Sequence, residues 1–237
     1  DVQGNAQRRK ELQILLVEDN YTNQKVALGI LRKNGFEADV AENGQEALNL
    51  LHAKKYHLIF MDCQMPVMDG YTATIKLREL ENPEDRIPII AMTANALKGD
   101  RDICLAAGMD DYISKPVSQK IMVQTIEKWA PQIHDSGIAA TTSAVSLQNQ
   151  TDCQNPAAEE PEIWEHDSLY ERLGEDAELV CEVLKAFLSD IPGKIDELED
   201  IMKNGDIGQI NDMGHMVKGA GRNISALAFQ EVAYEIE

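Results

Sequence analysis

The chain has 237 residues, a length that suits one large domain or two modest ones. Its formal net charge of −19 argues against nucleic acid as the main partner, because a phosphate backbone selects basic surfaces. No apolar run is long enough to span a bilayer, and the four cysteines show neither zinc-site nor disulfide spacing. We therefore expect a protein of the reducing cytoplasm.

Apolar runs alternate with amphipathic stretches through residues 11–131, and this pattern predicts five strand–helix repeats. Five repeats with short connections favour a parallel sheet with helices on both faces, in the flavodoxin-like strand order 2-1-3-4-5. The predicted strands are 13–17, 37–41, 58–62, 87–92 and 110–113, and the predicted helices are 21–34, 44–54, 71–81, 97–107 and 118–130.

Four of these strands end in side chains that carry chemistry. The carboxyl ends of parallel strands meet at one edge of a sheet, so we expect these side chains to lie close together. Three carboxylates in one place repel each other unless a cation lies among them, and oxygen ligands with bound water suit Mg²⁺. A hydroxyl and an ammonium nearby would hold phosphoryl oxygens. The pattern predicts a carboxylate nucleophile that accepts a phosphoryl group with Mg²⁺. The side chains are those of Glu18, Asp19, Asp62, Thr93 and Lys115.

Residues 11–131 resemble the receiver domain of two-component signalling. The resemblance covers five separate motifs in the family's order and spacing. These motifs are Glu18-Asp19, Asp62 within the run MDCQMPVMDG, Thr93-Ala94, Tyr112 and Lys115-Pro116.

The resemblance implies a role for each matching residue. Asp62 would accept the phosphoryl group, and Asp19 would be the principal Mg²⁺ ligand. Glu18 would assist the metal through water, and Gln64 would lend it a backbone carbonyl. Contacts with the phosphoryl oxygens would come from Thr93 and Lys115. Tyr112 would be the switch aromatic, and the Lys115-Pro116 bond would be cis.

Two other classes of protein share parts of this pattern. Flavin binders of the same fold need a hydroxyl- and glycine-rich phosphate loop after the first strand, whereas Glu18-Asp19-Asn20 would repel a phosphate. Haloacid-type phosphatases carry a second aspartate two residues after the nucleophile as general acid. Gln64 occupies that position here, so turnover of external phosphoesters is not expected.

Residues 132–162 differ in composition from the rest, because small, polar and proline residues dominate and no hydrophobic periodicity is sustained. This composition predicts a flexible interdomain linker. As a coil, 30 residues span roughly 30 Å, which would let the parts on either side of the linker meet.

Residues 163–237 predict a second, helical domain, and the stretch 132–237 that includes them holds most of the negative charge of the chain. A short helix is expected within 167–173, and a long one from about 176 to 203 with a single apolar stripe. We expect a bend at Pro192-Gly193. Asn204-Gly205 would close this helix, and Asp206 would cap the next.

The third helix carries His215, Lys218 and Gly219 at spacings that place them on one face. A glycine inside a helix costs about 1 kcal/mol relative to alanine, and close approach of another molecule would offset that cost. An exposed imidazole is a nucleophile at neutral pH, and Lys218 would balance phosphoryl charge. Two other interpretations are an ordinary surface histidine, and a metal pair with Asp212 that lacks the second pair of di-metal bundles.

Residues 163–237 resemble a histidine phosphotransfer domain, a four-helix bundle with a His-x-x-Lys-Gly motif. His215, Lys218 and Gly219 match that motif, and residues 171–174 match the Glu-Arg-Leu-Gly stretch of the family. The sequence stops at Glu237, inside what would be the third bundle helix. We expect either that the polypeptide continues or that the uncovered apolar face packs against another copy.

Together the two resemblances imply a phosphorelay protein, similar to the C-terminal part of a hybrid sensor kinase. They imply a cytoplasmic location, either free or as the cytoplasmic part of a membrane-bound sensor kinase. Asp62 would take its phosphoryl group from an upstream histidine kinase domain, and His215 would exchange one with a downstream receiver or response regulator. The alternative is an interaction module that phosphorylation switches, with His215 idle. Kinase ATP-binding motifs do not occur in the sequence, so ATP is not expected to be the direct donor.

Overall fold

The computed structural model describes residues 9, 11–94, 98–134, 164–226 and 229. Within them, five parallel strands form one sheet in the order β2-β1-β3-β4-β5, which confirms the predicted topology. The strands are β1 (Gln13–Val17), β2 (Glu37–Ala41), β3 (Leu58–Asp62), β4 (Ile89–Thr93) and β5 (Asp111–Ser114).

Strand β4 begins two residues later than predicted. Pro88 has no N–H to give to a ladder, and only its carbonyl takes part, as acceptor from the Ile59 N–H at 3.0 Å. The apolar residue Ile87 therefore belongs to the approach to the strand, and β4 extends instead to Thr93.

Five helices connect the strands and cover the sheet. Asn20, Asn43 and Asp69 cap the first three, each accepting a hydrogen bond from a backbone N–H of the first turn. The helix after β5 runs to His134, so the first three residues of the predicted linker are helical. The helices are α1 (Tyr21–Lys33), α2 (Gly44–Ala53), α3 (Gly70–Leu80), α4 (Lys98–Ala106) and α5 (Gln119–His134).

The second predicted domain is helical, with α6 (His166–Arg172), α7 (Ala177–Asn204) and α8 (Ile207–Asn223). Helix α7 continues through Pro192, so the proline does not end it. Gly205, with a φ of 73°, closes α7 as predicted, and Asp206 caps α8. The predicted linker from 135 onward and the predicted bundle residues after 226, except 229, lie outside the described residues.

Several apolar side chains of the helical part are exposed. The bundle, and the burial of its uncovered face by further chain or by another copy, stay predictions. The exposed side chains are Leu188, Ile195, Met202 and Ile207. None of the helices in the described part of the chain combines the length and apolar content needed to cross a lipid bilayer.

The helical part shares a hydrophobic core with the sheet domain. Alternate residues of the buried strands point to opposite faces of the sheet, and each face has its own hydrophobic core. The core on one face continues through α1 into α6 and α7. Gly29 of α1 lies so close to α7 that a Cβ there would be 2.1 Å from Leu179 Cδ1. Lys33 Nζ donates to the Gly174 carbonyl at 2.9 Å and lies 3.3 Å from Asp176 Oδ2. The two parts therefore pack along one whole face of α1.

A truncation at the centre of this joint core tests its contribution to stability. Leu179 is 4% exposed and fills the space left by Gly29, so Leu179→Ala should lower the free energy of unfolding by about 2–5 kcal/mol. Urea denaturation of the whole chain measures this loss. Leu188→Ala, on the exposed side of α7, is the control and should change stability little. Equal effects of the two variants would contradict a shared core.

Candidate functional site

Three carboxylates meet at the carboxyl edge of the sheet. Strand β1 pairs with β3, and this neighbourhood brings Glu18 and Asp19, which follow β1, beside Asp62 at the end of β3. One oxygen from each carboxylate lies within 4.8 Å of the other two, in the one such acidic group of three found among the described residues. Glu18 is 2% exposed and Asp62 is 6% exposed. The convergence predicted from the strand ends is present.

Lys115 joins this group from the end of β5. Its Nζ donates to Asp62 Oδ2 at 2.6 Å and to Glu18 Oε2 at 2.7 Å. Burial alone would lower the pKa of Lys115, but the charges and hydrogen bonds of Asp62 and Glu18 outweigh it and raise the pKa above its ordinary value. Lys115 is therefore a permanent cation at the site. The Lys115-Pro116 bond is cis, as the resemblance implied.

The acids carry more negative charge than one lysine can balance. Burial, opposed by Lys115 and reinforced by Asp62, raises the pKa of Glu18 to about 8. Burial and the charge of Asp62 raise the pKa of Asp19 to about 6. Both carboxyls are thus costly to ionise without a further cation nearby. An all-oxygen donor set of this kind fits Mg²⁺.

Residues of the loop after β3 and of the start of α3 pack against Asp62. Gly70 lies so close to Asp62 that a Cβ would be 2.1 Å from the Asp62 carbonyl oxygen, which leaves room only for glycine. The Gln64 N–H donates to Asp62 Oδ1 at 3.3 Å. Gln64 therefore lies next to the phosphoacceptor candidate, while the role of its carbonyl stays a prediction.

Thr93 and Tyr112 lie at different distances from the carboxyl edge of the sheet. Thr93 ends β4, is buried, and accepts through its carbonyl from the Lys115 N–H at 2.7 Å. Tyr112 is paired with Ala91 in the sheet, and its ring packs against the core on that face. Thr93 thus lies at the carboxyl edge of the sheet beside Lys115, whereas Tyr112 pairs with a residue two positions before Thr93 on β4.

Three buried polar residues of the first turn of α1 were missed by the sequence analysis. Asn23 Nδ2 donates to Glu18 Oε1 at 2.7 Å, and Gln24 Nε2 donates to the Glu18 carbonyl at 2.7 Å. Asn20 caps the helix through a hydrogen bond from the Asn23 N–H. Their signal in the sequence is three amides within the five residues that follow the acidic pair, at the start of α1.

The helix that carries His215 lies across this edge of the sheet. Asn20 Nδ2 donates to the carbonyl of Met216, the neighbour of His215, at 3.1 Å. On the other side, Arg222 Nη1 donates to the carbonyl of Ala94, which follows β4, at 3.2 Å. Helix α8 therefore contacts the loops on both sides of Asp62.

The other residues of the His215 motif lie on the same helix. His215 and Lys218 are half-buried, and a Cβ on Gly219 would lie 3.9 Å from Asn23 Nδ2. A Cβ at that distance is in ordinary van der Waals contact, so a close approach that would require glycine at position 219 stays a prediction. Lys194 of α7, which the sequence analysis did not single out, donates from Nζ to Met216 Sδ, and its charge acts to lower the pKa of Asp19.

The fold and the acidic group are those of a receiver domain, and sequence comparison agrees. Residues 14–127 match the family model of the response regulator receiver domain. This part of the chain is therefore a receiver domain of two-component phosphorelay signalling, similar to the receiver parts of hybrid sensor kinases.

Individual relatives extend the similarity to different lengths. Hybrid signal transduction histidine kinase I of Dictyostelium discoideum is 43% identical over 119 residues, 48% of this chain and 7% of that protein. The aerobic respiration control sensor protein ArcB of Escherichia coli K12 is 32% identical over 227 residues, 95% of this chain and 28% of that protein. The chain spans at most 28% of the length of these curated relatives.

A solved structure is also similar. It is the receiver domain of the sensor histidine kinase PA1611 from Pseudomonas aeruginosa PAO1, which has a magnesium ion coordinated in its active-site cleft. The two sequences are 44% identical, and the alignment covers 51% of this chain and 98% of that chain with a TM-score of 0.47.

Proposed function

We propose that the chain is a phosphorelay protein with two phosphoryl-carrying residues, Asp62 and His215. Asp62 accepts a phosphoryl group from a phosphohistidine, and His215 exchanges one with a receiver aspartate. The observation that carries the proposal is the contact of α8 with the loops after β1 and β4, which flank Asp62. The similarity to ArcB, which runs through both parts of the chain, supports treating them as one working unit.

The chemistry at Asp62 is a direct transfer. A carboxylate oxygen attacks the phosphorus, a P–O bond forms as the P–N bond to the donor imidazole breaks, and the electron pair leaves on that imidazole nitrogen. Glu18, Asp19 and Asp62 would hold Mg²⁺, which when bound supplies positive charge beside the phosphoryl oxygens. Lys115 brings a second positive charge, and Thr93 a hydroxyl, to the same edge.

At His215 the same transfer takes place between an imidazole of this chain and the carboxylate of a receiver domain. A neutral imidazole nitrogen receives or returns the phosphoryl group, and Lys218, one turn further along α8, balances its charge. The partners that this scheme requires are an upstream histidine kinase domain and a downstream receiver, both in the cytoplasm. The exposed apolar side chains of α7 offer a surface for self-association.

Replacing His215 tests its use in the relay. His215→Gln should leave labelling of Asp62 intact and remove transfer to a separate receiver domain, because the second phosphoryl carrier is missing. The measurement follows radiolabelled phosphate from a kinase domain through the chain to that receiver. Phosphohistidine is also told from phosphoaspartate by its survival in alkali. His166→Gln, at an exposed position on α6, is the matched control. Undiminished transfer by His215→Gln would leave only the interaction module that phosphorylation switches.

The raised pKa of Asp19 predicts how pH affects stability. Its folded-state pKa of about 6 exceeds the ordinary 3.8, so the folded state binds the additional proton between these values. The folded state therefore loses stability as the pH rises through this window, and the loss is complete above it. Mg²⁺ competes with that proton, so its addition should raise the melting temperature more at pH about 7.5 than at pH about 5.

A melting series with and without Mg²⁺, at constant ionic strength, measures this effect. Asp19→Asn should flatten the pH dependence and shrink the shift caused by Mg²⁺. The interpretation fails if Mg²⁺ stabilises the chain equally at both pH values.

A further inference from the structure

A line of buried hydrogen bonds connects the acidic group to the end of α8. Glu18 Oε1 accepts from Asn23 Nδ2 at 2.7 Å, and Asn23 Oδ1 in turn accepts from Asn223 Nδ2. Asn23 is 7% exposed and Asn223 is 3% exposed, so water does not replace either partner readily. The line therefore runs from a carboxylate of the receiver domain directly into the helical part.

The carboxylate sets the direction of every bond in this line. With Mg²⁺ bound, Glu18 would be ionised and could only accept, so the NH₂ group of the Asn23 side chain would face it and the side-chain carbonyl of Asn23 would face away. That carbonyl then needs a donor, which Asn223 provides through its own NH₂ group. Without Asn223, the Asn23 amide loses the contact that favours this orientation over the flipped one.

The backbone at Asn223 is held by the half-buried Arg172. Arg172 Nη2 donates to the backbone carbonyl of Asn223 at 2.5 Å, and Arg172 Nη1 donates to the backbone carbonyl of Val117 at 3.4 Å. Val117 lies two residues beyond Lys115, whose ammonium contacts the other oxygen of Glu18. The hydrogen-bonded line thus begins and ends on the receiver domain, with α6 and the end of α8 between.

We infer that Asn223 is a positioning residue of the acidic site, which acts on Glu18 through Asn23. Packing of the helical part against α1 orients the Asn23 amide, the amide orients Glu18, and the oriented carboxylates bind a divalent cation more tightly. This inference rests on the proposed binding of Mg²⁺ by Glu18, Asp19 and Asp62. Coupling between sites is reciprocal, so Mg²⁺ strengthens the packing of the two parts by the same factor.

Mg²⁺ titration of the whole chain, by isothermal calorimetry, tests the inference without any transfer reaction. Asn23→Ala should raise the dissociation constant for Mg²⁺ about tenfold, as loss of a hydrogen bond to a metal-site ligand does elsewhere. Asn223→Ala should raise it in the same direction, about threefold or more. When Asn23→Ala is already present, Asn223→Ala should cause no further change, because the inferred route from Asn223 to Glu18 runs through the Asn23 amide. Asn211→Ala, exposed on the same helix, is the control and should match the unaltered chain.

A second variant separates orientation from charge. Asn223→Asp keeps the size of the side chain but offers only acceptors, so Asn23 would turn its NH₂ group toward position 223 and its carbonyl toward Glu18. Affinity for Mg²⁺ should then fall further than in Asn223→Ala. A plain electrostatic effect of the added negative charge would instead tighten Mg²⁺ binding.

Each outcome bears on a different claim. If Asn23→Ala weakens Mg²⁺ binding while Asn223→Ala and Asn223→Asp leave it unchanged, the inference about Asn223 is wrong and the proposed metal site stands. Additive losses in the double variant would also overturn the inference, because a purely structural role of Asn223 persists without Asn23. If the unaltered chain binds no Mg²⁺, both the inference and the proposed metal site fail. Should Asn223→Ala not fold, the isosteric Asn223→Asp carries the test.

Discussion

Asp62→Asn should abolish labelling of the receiver domain by a small phosphodonor such as acetyl phosphate, and EDTA should abolish labelling of the unaltered chain. The amide is a far weaker nucleophile than the carboxylate that lies 2.6 Å from Lys115 Nζ. Removal of divalent cations leaves two buried acids and one half-buried acid with one ammonium, a balance that disfavours the approach of a phosphoryl group. Asp19→Asn should weaken Mg²⁺ binding by about tenfold or more.

Asp69→Asn is the matched control, because it makes the same substitution in the same loop. Asp69 caps α3 through the Thr72 N–H at 2.7 Å, and asparagine caps helices equally well. Labelling of this variant should equal that of the unaltered chain after readdition of Mg²⁺. Labelling that persists in EDTA, or in Asp62→Asn, would show that the acidic group is not the phosphoacceptor site.

The acidic group could be predicted because its residues follow local signals. Buried strands that end in Glu18-Asp19 and Asp62 are visible as short apolar runs, and parallel pairing is enough to bring their ends together. The boundary at Pro88 needed only the missing N–H of proline, a signal that was present and overlooked.

The packing of the helical part could not be predicted in this way, because it depends on contacts between distant residues. Its signal lies in α1, where Val26, Leu28 and Ile30 leave apolar side chains on more than one face and Gly29 leaves a gap. Residues 26–31 form a continuous apolar run within α1, and a helical segment that is apolar all round is covered on both sides, by the sheet and by another element. The partner of Gly29 is Leu179, 150 positions further on, and no local pattern connects the two.

The buried amides between α1 and α8 show a second limit of prediction from the sequence. Asn20 and Asn23 resemble an ordinary helix start, and Asn223 resembles an ordinary helix end. Their joint meaning depends on the order Glu18–Asn23–Asn223, which exists only once the two parts pack together. The role of a buried polar residue depends on its hydrogen-bond partner in the folded protein, whereas the burial of apolar residues can be predicted from their periodicity in the sequence.

Transfer between Asp62 and His215 should proceed within one chain and at a rate independent of protein concentration. The His215 helix already contacts the loops beside Asp62 through Asn20 and Arg222, so no encounter between molecules is required. A covalent connection between two such parts gives an effective concentration on the order of millimolar. At low micromolar protein, transfer within the chain should therefore exceed transfer between chains by about 10²- to 10³-fold.

Mixing two defective chains measures the difference. A chain with Asp62→Ala retains only His215, and a chain with His215→Ala retains only Asp62, so exchange in the mixture must occur between molecules. The mixture should transfer phosphate slowly, and its rate should rise in proportion to concentration, while the rate of the intact chain stays constant.

The contact itself is tested by a matched pair of variants, Arg222→Ala and Arg86→Ala. Arg222 contacts the Ala94 carbonyl, whereas Arg86 pairs with Asp110 away from α8. Only Arg222→Ala should slow the intact chain. If the mixture transfers as fast as the intact chain at low micromolar concentration, His215 works between molecules and the packing of α8 over the site serves another purpose.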